Sequence, residues 1–372
     1  MTPLLNGMNI ECIKEKLSYA ISKAERITGK NITLPVLSCV LLEAHDSTLT
    51  IKATNLDLGI EISLPVKVIK PGKVAVSGSV LYNFISNLTD KNIVLEVVNE
   101  NLKISTKHNH STIKAFPTED FPNIPKISKE KTFTFNVPGL LKGFKSVMYS
   151  SSVSTIRPVL SSVFLFSEED GVVFVATDSF RLAEKRIGVK KHKEFNQILI
   201  PFKNAGEIIR TLEDIKDDVE VCLNENQISF SYEGLYITSR VIDGVFPDYK
   251  QIIPKEIKTE VIVLKQDLIT ALRISNVFSD KFSQVTFRIN PKEKVFEITT
   301  KNAEVGENIN NIDAVVKGDE LIISFNYKYI IDCFQSIDSD SVSLSFSDTN
   351  KPVIIQGVGD KSFLYLVMPM NK

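Results

Sequence analysis

The chain repeats itself at an interval of 123 residues, and that period limits its possible folds more than any other feature. Thr54, Thr177 and Thr300 fall 123 residues apart, and Pro35-Val36-Leu37-Ser38 returns as Pro158-Val159-Leu160-Ser161 at the same spacing. The threonines sit in Ala53-Thr54-Asn55, Ala176-Thr177-Asp178 and Thr299-Thr300-Lys301. The first two units also close alike, on Phe121-Pro122-Asn123 and Phe246-Pro247-Asp248. A chain of 372 residues therefore divides into three units of roughly 120. Each is long enough to bury a core of its own, so these are tandem domains and not solenoid repeats. The expected boundaries are 8–128, 129–254 and 255–372, behind a short flexible leader of residues 1–7. One scaffold built three times suits a device that surrounds or spans something extended better than it suits a single-site enzyme.

Within a unit the pattern reads helix, strands, helix, strands. Ile13, Leu17, Ala20, Ala24 and Ile27 share a helical face that Gly29 terminates. Leu140, Leu141, Phe144 and Val147 do the same behind Pro138, and Leu268, Ile269, Leu272 and Val277 in the third unit. Second helices are predicted over 80–88, 205–212 and 327–337. Strand-rich segments such as Val40-Leu41-Leu42-Glu43, Val172-Val173-Phe174-Val175 and Val342-Ser343-Leu344-Ser345-Phe346 fill the remainder. The fold class is α+β, with two helices packed on antiparallel sheet in each of three tandem repeats.

Formal charge is −1 and 24% of residues are charged, an ordinary balance. Its distribution is not even. Residues 10–30 hold five bases against three acids, and 137–150 hold Lys142 and Lys145 with no acid. The stretches 202–212 and 265–281 each carry one excess base, while 79–88 and 327–337 are neutral. Lys16, Lys23 and Lys30, seven apart, are predicted to share one helical stripe. Two readings fit: a solvated helix face, or a surface turned toward phosphates without sequence preference. No base-reading motif is present.

Dedicated chemistry is sparse. None of G-x-x-x-x-G-K-[ST], G-x-S-x-G, H-E-x-x-H or G-x-G-x-x-G occurs. Cys12, Cys39, Cys222 and Cys333 show no C-x-x-C spacing and read as reduced packing residues of a cytoplasmic protein. His108 and His110 flank Asn109 as a weak metal candidate, and Asp243 with Asp248 as a weak nuclease pair. The expectation is no metal, no cofactor and no catalytic residue.

Several segments together resemble the bacterial DNA polymerase III beta subunit family, the sliding clamps. They are Thr33-Leu34-Pro35-Val36-Leu37, Ala176-Thr177-Asp178-Ser179-Phe180-Arg181-Leu182, Asp243-Gly244-Val245-Phe246-Pro247-Asp248-Tyr249 and the terminal Val367-Met368-Pro369-Met370. The resemblance covers residues 8–372. It implies a head-to-tail homodimeric ring around double-stranded DNA, with helices inside and sheet outside. It also implies a pocket between the second and third domains for short peptides of the DNA polymerase III alpha subunit, the clamp loader and other partners.

Carried over by motif, that pocket would hold Leu160, Thr177, Ser179, Phe180, Arg181 and Leu182 from one side. Pro247, Gln251 and Ile252 would follow, with Asn326 and Tyr329 from the third domain. The tail Leu366, Val367, Met368, Pro369 and Met370 would complete it. Phe180 stands where the family often has histidine, and Gln251 where arginine is frequent. DNA-facing candidates are Lys16, Lys23, Lys30, Lys142, Lys145, Arg157, Lys203 and Arg210. The subunit interface would join the neighbourhoods of Ile113 and Phe278. A metal-dependent DNA-processing enzyme and a monomeric three-domain scaffold are the alternatives.

Overall fold

The structure, a computed structural model, describes residues 7–29, 34–127, 132–189, 195 and 197–370. Among them are six α-helices: α1 (Lys14–Ile27), α2 (Gly78–Ser86), α3 (Val137–Val147), α4 (Phe202–Leu212), α5 (Lys265–Val277) and α6 (Tyr327–Asp332). They fall two to a repeat. The face of α1 buries Leu17, Ala20, Ile21, Ala24 and Ile27. It stops because the Thr28 N–H and hydroxyl both donate to the Glu25 carbonyl. Pro138 occupies the first turn of α3, where a missing N–H costs nothing. The last helix is shorter than the expected 327–337: α6 tightens into a 3-10 turn at Cys333–Ser336.

Among the described residues the strands pair antiparallel, in sheets of thirteen, nine and four strands. The described residues form two compact units, one drawn from 7–29, 34–127, 132–138 and 206–241, the other from 139–189, 195, 197–205 and 242–370. They follow the sheets and not the repeats, for a simple reason. In the first unit strand Leu58–Pro65 of the first repeat hydrogen-bonds strand Leu235–Arg240 of the second. In the second unit Arg181–Gly188 of the second repeat pairs Phe363–Val367 of the third, with Arg181 opposite Val367. Ladder bonds between repeats thus divide the middle repeat between two bodies.

The third repeat's counterpart of Leu58–Pro65 and Arg181–Gly188 is Gly306–Asn311, which pairs with Val295–Asn302 alone. The first repeat's counterpart of Leu235–Arg240 is His110–Phe116. It bonds Asn101–Ser105 on one side and meets Gly72–Ser77 only through Ala115 and Phe116. Among the described residues these two strands therefore keep an open edge.

Each repeat also ends by crossing back onto an earlier strand. Phe116 pairs Ala75, the Ile242 N–H donates to the Leu199 carbonyl at 2.8 Å, and the Met370 N–H donates to the Ser324 carbonyl at 2.8 Å. The tail is the third instance of a device that closes every repeat.

All four cysteines are buried and unpaired, and burial pushes the Cys12 thiol up to about 12 and Cys39 to about 11. No helix among the described residues is long and apolar enough to cross a membrane.

Candidate functional site

The Thr177–Leu182 loop shows why its sequence recurs. Thr177 Oγ1 donates to the Arg181 carbonyl at 2.7 Å and accepts the Ser179 N–H at 3.2 Å. Asp178 Oδ1 accepts the N–H groups of Phe180 and Arg181, both at 3.0 Å. This double side-chain turn holds Ser179 at φ +80°, a left-handed conformation that needs such support in a residue other than glycine. The loop around Thr54 is the same construction, with Leu56 at φ +77°. Thr300 departs: it is buried, but its hydroxyl donates to the Ser275 carbonyl at the end of α5.

Out of the loop come Phe180 and Arg181. The Phe180 ring is 59% exposed and stacks on Tyr329 of α6, centroids 6.2 Å apart and planes 18° off parallel. The Arg181 guanidinium lies 4.7 Å from the centre of the same Tyr329 ring. Arg181 also binds Asp178 at 3.1 Å, bonds Asp332 of α6 through a short contact, and donates to the Tyr149 carbonyl at 2.7 Å. Burial works against the Arg181 cation, yet Tyr365, Asp332 and Asp178 outweigh it and hold the proton more firmly than usual. The Tyr365 hydroxyl donates to the Tyr329 carbonyl at 2.8 Å, fixing α6 from behind. The Tyr329 hydroxyl is pushed up, chiefly by burial, so the ring stays neutral.

The tail completes the site. Its Met368 N–H donates to the Phe180 carbonyl at 2.8 Å and Met370 is tied to Ser324, so the segment is pinned at two points. Met368 remains 36% exposed. A flexible thioether beside a stacked aromatic pair makes an adaptable apolar surface. Asn326 caps α6 through a bond from the Lys328 N–H at 2.9 Å and donates to the Phe282 carbonyl.

Several expected wall residues lie deeper than expected. Leu182, Leu366 and Val367 are at most 2% exposed. Leu182 and Leu366 join Phe246 and Tyr249 in one core cluster, so they support the site from below and present no surface to a ligand. Leu160 and Thr177 are also buried, the latter committed to its turn. Pro247 and Ile252 are exposed, and Gln251 donates to Asp248 at 2.8 Å. Beside Pro247 opens a cavity of about 330 Å³ lined by Phe164, Phe166, Val245 and Lys250. Sequence reasoning missed these residues, along with Tyr149, Asp332 and Tyr365.

Charge segregation persists with observed helix bounds. α1 holds four bases and two acids, α3 two bases, α4 and α5 one excess base each, and α2 and α6 none, a net +6 in a chain of −1. Individual lysines differ in fate. Lys16, Lys145, Arg157 and Lys203 are exposed. Arg210 is exposed but shares its charge with Glu207, and Lys142 with Asp338 at 2.6 Å. Lys23 corrects the stripe: it is 3% exposed, donating to the Thr211 carbonyl at 2.5 Å and pairing Asp214 at 3.3 Å. It stitches α1 to the end of α4 and has no charge to offer outward. Lys30 lies outside the described residues.

The alternative chemistry finds no assembled site. His108 pairs Asp90 at 2.9 Å, His110 meets Ser105, and Asp248 engages Gln251. No group of three or more His, Cys, Asp or Glu side chains placed to hold a metal occurs among the described residues. Ile113 is 9% exposed and faces its own core, so its strand can meet a partner only through backbone and neighbours. The Phe278 ring lies 3.9 Å from where a side chain on Gly306 would begin, beside the open Gly306–Asn311 strand.

Known proteins resemble this chain over nearly its whole length. Family models of the DNA polymerase III beta subunit match in order: the N-terminal domain over 8–125, the central domain over 138–248 and the C-terminal domain over 250–371. The beta sliding clamp of Staphylococcus aureus is 25% identical over 350 residues, covering 91% of this chain and 93% of its own. The DNA polymerase III beta subunit of Thermotoga maritima superposes with a TM-score of 0.93 at 26% identity, covering 98% of this chain and all of that one. The DNA polymerase sliding clamp of Bacillus subtilis gives 0.94 at 23% identity, covering 98% and 99%, a match of fold.

Proposed function

Because the chain belongs to the DNA polymerase III beta subunit family, non-catalytic sliding clamps of replication, we propose how its own residues hold DNA, its twin and its partners. The three clamp domains span 8–128, 129–254 and 255–372. The excess positive charge of the helices faces duplex DNA, with Lys16, Lys145, Arg157 and Lys203 as the exposed contacts and Lys142 and Arg210 as contacts shared with acidic neighbours. Enclosure supplies persistence on DNA, and screened contacts to phosphate leave the ring able to slide. Four unpaired buried cysteines suit the reducing cytoplasm.

The repeat itself indicates how the ring closes. Two strand pairings join successive repeats within the chain, and their missing third partners are the open edges of Gly306–Asn311 and His110–Phe116. Pairing these two between subunits would extend the same ladder head to tail, with Phe278 at its margin.

Partner peptides dock on the Phe180–Tyr329 shelf beside Met368 and Pro247. The observation that carries this reading is the exposed aromatic stack, held rigid by Arg181 and bordered by a pinned methionine tail. Substituting Phe180→Ala should weaken binding of polymerase-derived peptides at least tenfold in calorimetry while sedimentation still reports a dimer. Unchanged affinity would refute the docking site. Retention on closed circular DNA and loss on its linearisation tests the ring separately.

A further inference from the structure

The turn that borders the partner site is held on its sheet by a closed circuit of side chains. Leu182, Glu184 and Arg186 alternate onto one face of strand Arg181–Gly188. Leu182 joins Phe246 and Tyr249 in the core cluster, whereas Glu184, 6% exposed, brings a carboxylate to Tyr249. Its Oε2 accepts the Tyr249 hydroxyl at 2.5 Å and its Oε1 accepts Arg186 Nε at 2.8 Å. Arg186 goes on to bind Glu168 through a short contact, and Glu168 accepts Lys250 Nζ at 3.4 Å. Tyr249 and Lys250 are neighbours in the chain, so the path closes on itself. Burial and the Glu184 carboxylate both push the Tyr249 hydroxyl up, which keeps it a donor.

Stability alone does not call for this circuit. Replacing both members of a buried polar pair by apolar groups of similar shape is often neutral or stabilising. Apolar packing holds the turn down but gives it no fixed position along the sheet. Phe246 stacks on Phe164 with centroids 4.5 Å apart and planes 6° off parallel, a contact without a directional bond. The cavity of about 330 Å³ lined by Phe164, Phe166 and Val245 is also lined by Pro247 and Tyr249, so the turn has room to shift. The bonds at Tyr249 and Lys250 depend on distance and angle, and they oppose that shift.

We infer that Glu184 is a positioning residue for partner binding: through Tyr249 it fixes the exposed Pro247 and Ile252 as the wall of the Phe180 shelf. Glu184 is buried and touches no ligand itself. Its effect reaches the peptide only through where the turn stands. The inference rests on reading the Phe180 shelf as a peptide site.

The test follows three quantities in the full-length protein: affinity for a polymerase-derived peptide by calorimetry, the Ile252 methyl signal by NMR, and hydrogen exchange in strand Arg181–Gly188. Tyr249→Phe removes one hydroxyl and keeps the ring. It should weaken peptide binding at least fivefold and broaden or double the Ile252 methyl signal. Glu184→Leu with Tyr249→Phe exchanges the polar pair for apolar contact. Exchange protection should then return to within threefold of the unsubstituted protein, while peptide binding stays at least fivefold weaker. That split separates positioning from support, because a residue that only supports the fold would restore affinity along with protection. Affinity that tracks protection through both variants overturns the positioning role. So does affinity that Tyr249→Phe leaves unchanged while Phe180→Ala still weakens binding, a result that keeps the shelf. Binding indifferent to both Tyr249→Phe and Phe180→Ala removes the shelf, and this inference with it.

Discussion

Arg181→Gln removes the group that ties the Thr177 loop to α6, and the structure allows its cost to be worked out. Three charge-assisted bonds disappear, to Asp178, Asp332 and the Tyr149 carbonyl. Breaking a fully buried ion pair costs about 3–5 kcal/mol. Here the penalty is smaller, since Asp332 is 37% exposed and regains water, and Asp178 keeps two backbone N–H bonds on its other oxygen. The Asp178 oxygen facing Arg181 and the missing stack on Tyr329 dominate, giving about 2–3 kcal/mol. A chain of several domains has no single unfolding free energy, so the proper measurement is native-state hydrogen exchange in α6 and strand Phe363–Val367. At tenfold per 1.4 kcal/mol, protection there should fall by about 30- to 150-fold. Adding Asp332→Asn should recover part of the loss, a coupling of about 1 kcal/mol. A change below threefold, or strict additivity, would refute Arg181 as the clamp.

Lys23→Met should lower hydrogen-exchange protection in α1 and the end of α4 by about 30-fold, or about 2 kcal/mol, while leaving DNA affinity and its salt dependence unaltered, because the lysine is buried on Thr211 and Asp214. By contrast, Lys145→Glu with Lys203→Glu should weaken binding to short duplexes and flatten the salt slope by about 0.9 for each phosphate no longer neutralised; an unchanged slope in anisotropy titrations counts against DNA-facing helices. Asp214 offers a pH test. Burial alone would raise its carboxyl, but bonds from Tyr19 and Lys23 outweigh that and depress it. Its stabilisation is therefore complete above the unfolded value of about 3.9 and lost as pH falls toward the lower folded value, so Asp214→Asn should lower stability by a constant amount across pH 6–8 and flatten the further loss below about pH 4. Maleimide should label none of the four cysteines in the native protein at pH 7.5, given their burial; rapid native labelling of Cys12 or Cys39 would contradict their raised thiols.

How much of this was legible depended on how far each interaction reached along the chain. The Thr54 and Thr177 turns close within four residues, so their side-chain pattern is written locally and the repeat exposes it. Arg181 finds Asp332 and Tyr149 at separations of 151 and 32 residues, which no local pattern encodes. Periodicity placed Lys16 and Lys23 on one stripe, but it carries no information on what covers a stripe. The end of α4 covers Lys23 and leaves Lys16 in water. Similarly, an apolar run marks Leu182 and Leu366 as inward-facing without saying whether a ligand or other core residues meet them.

On the pairing proposed above, the two open strand edges also bear on what happens when subunits part. Bare main-chain donors and acceptors recruit stray segments, a common start to aggregation. Gly306–Asn311 answers with Glu307 and three asparagines, and His110–Phe116 with a basic Lys114 beside half-polar neighbours. Such margins accept one matched companion and discourage chance ones, so a separated subunit can wait in solution and rejoin its twin.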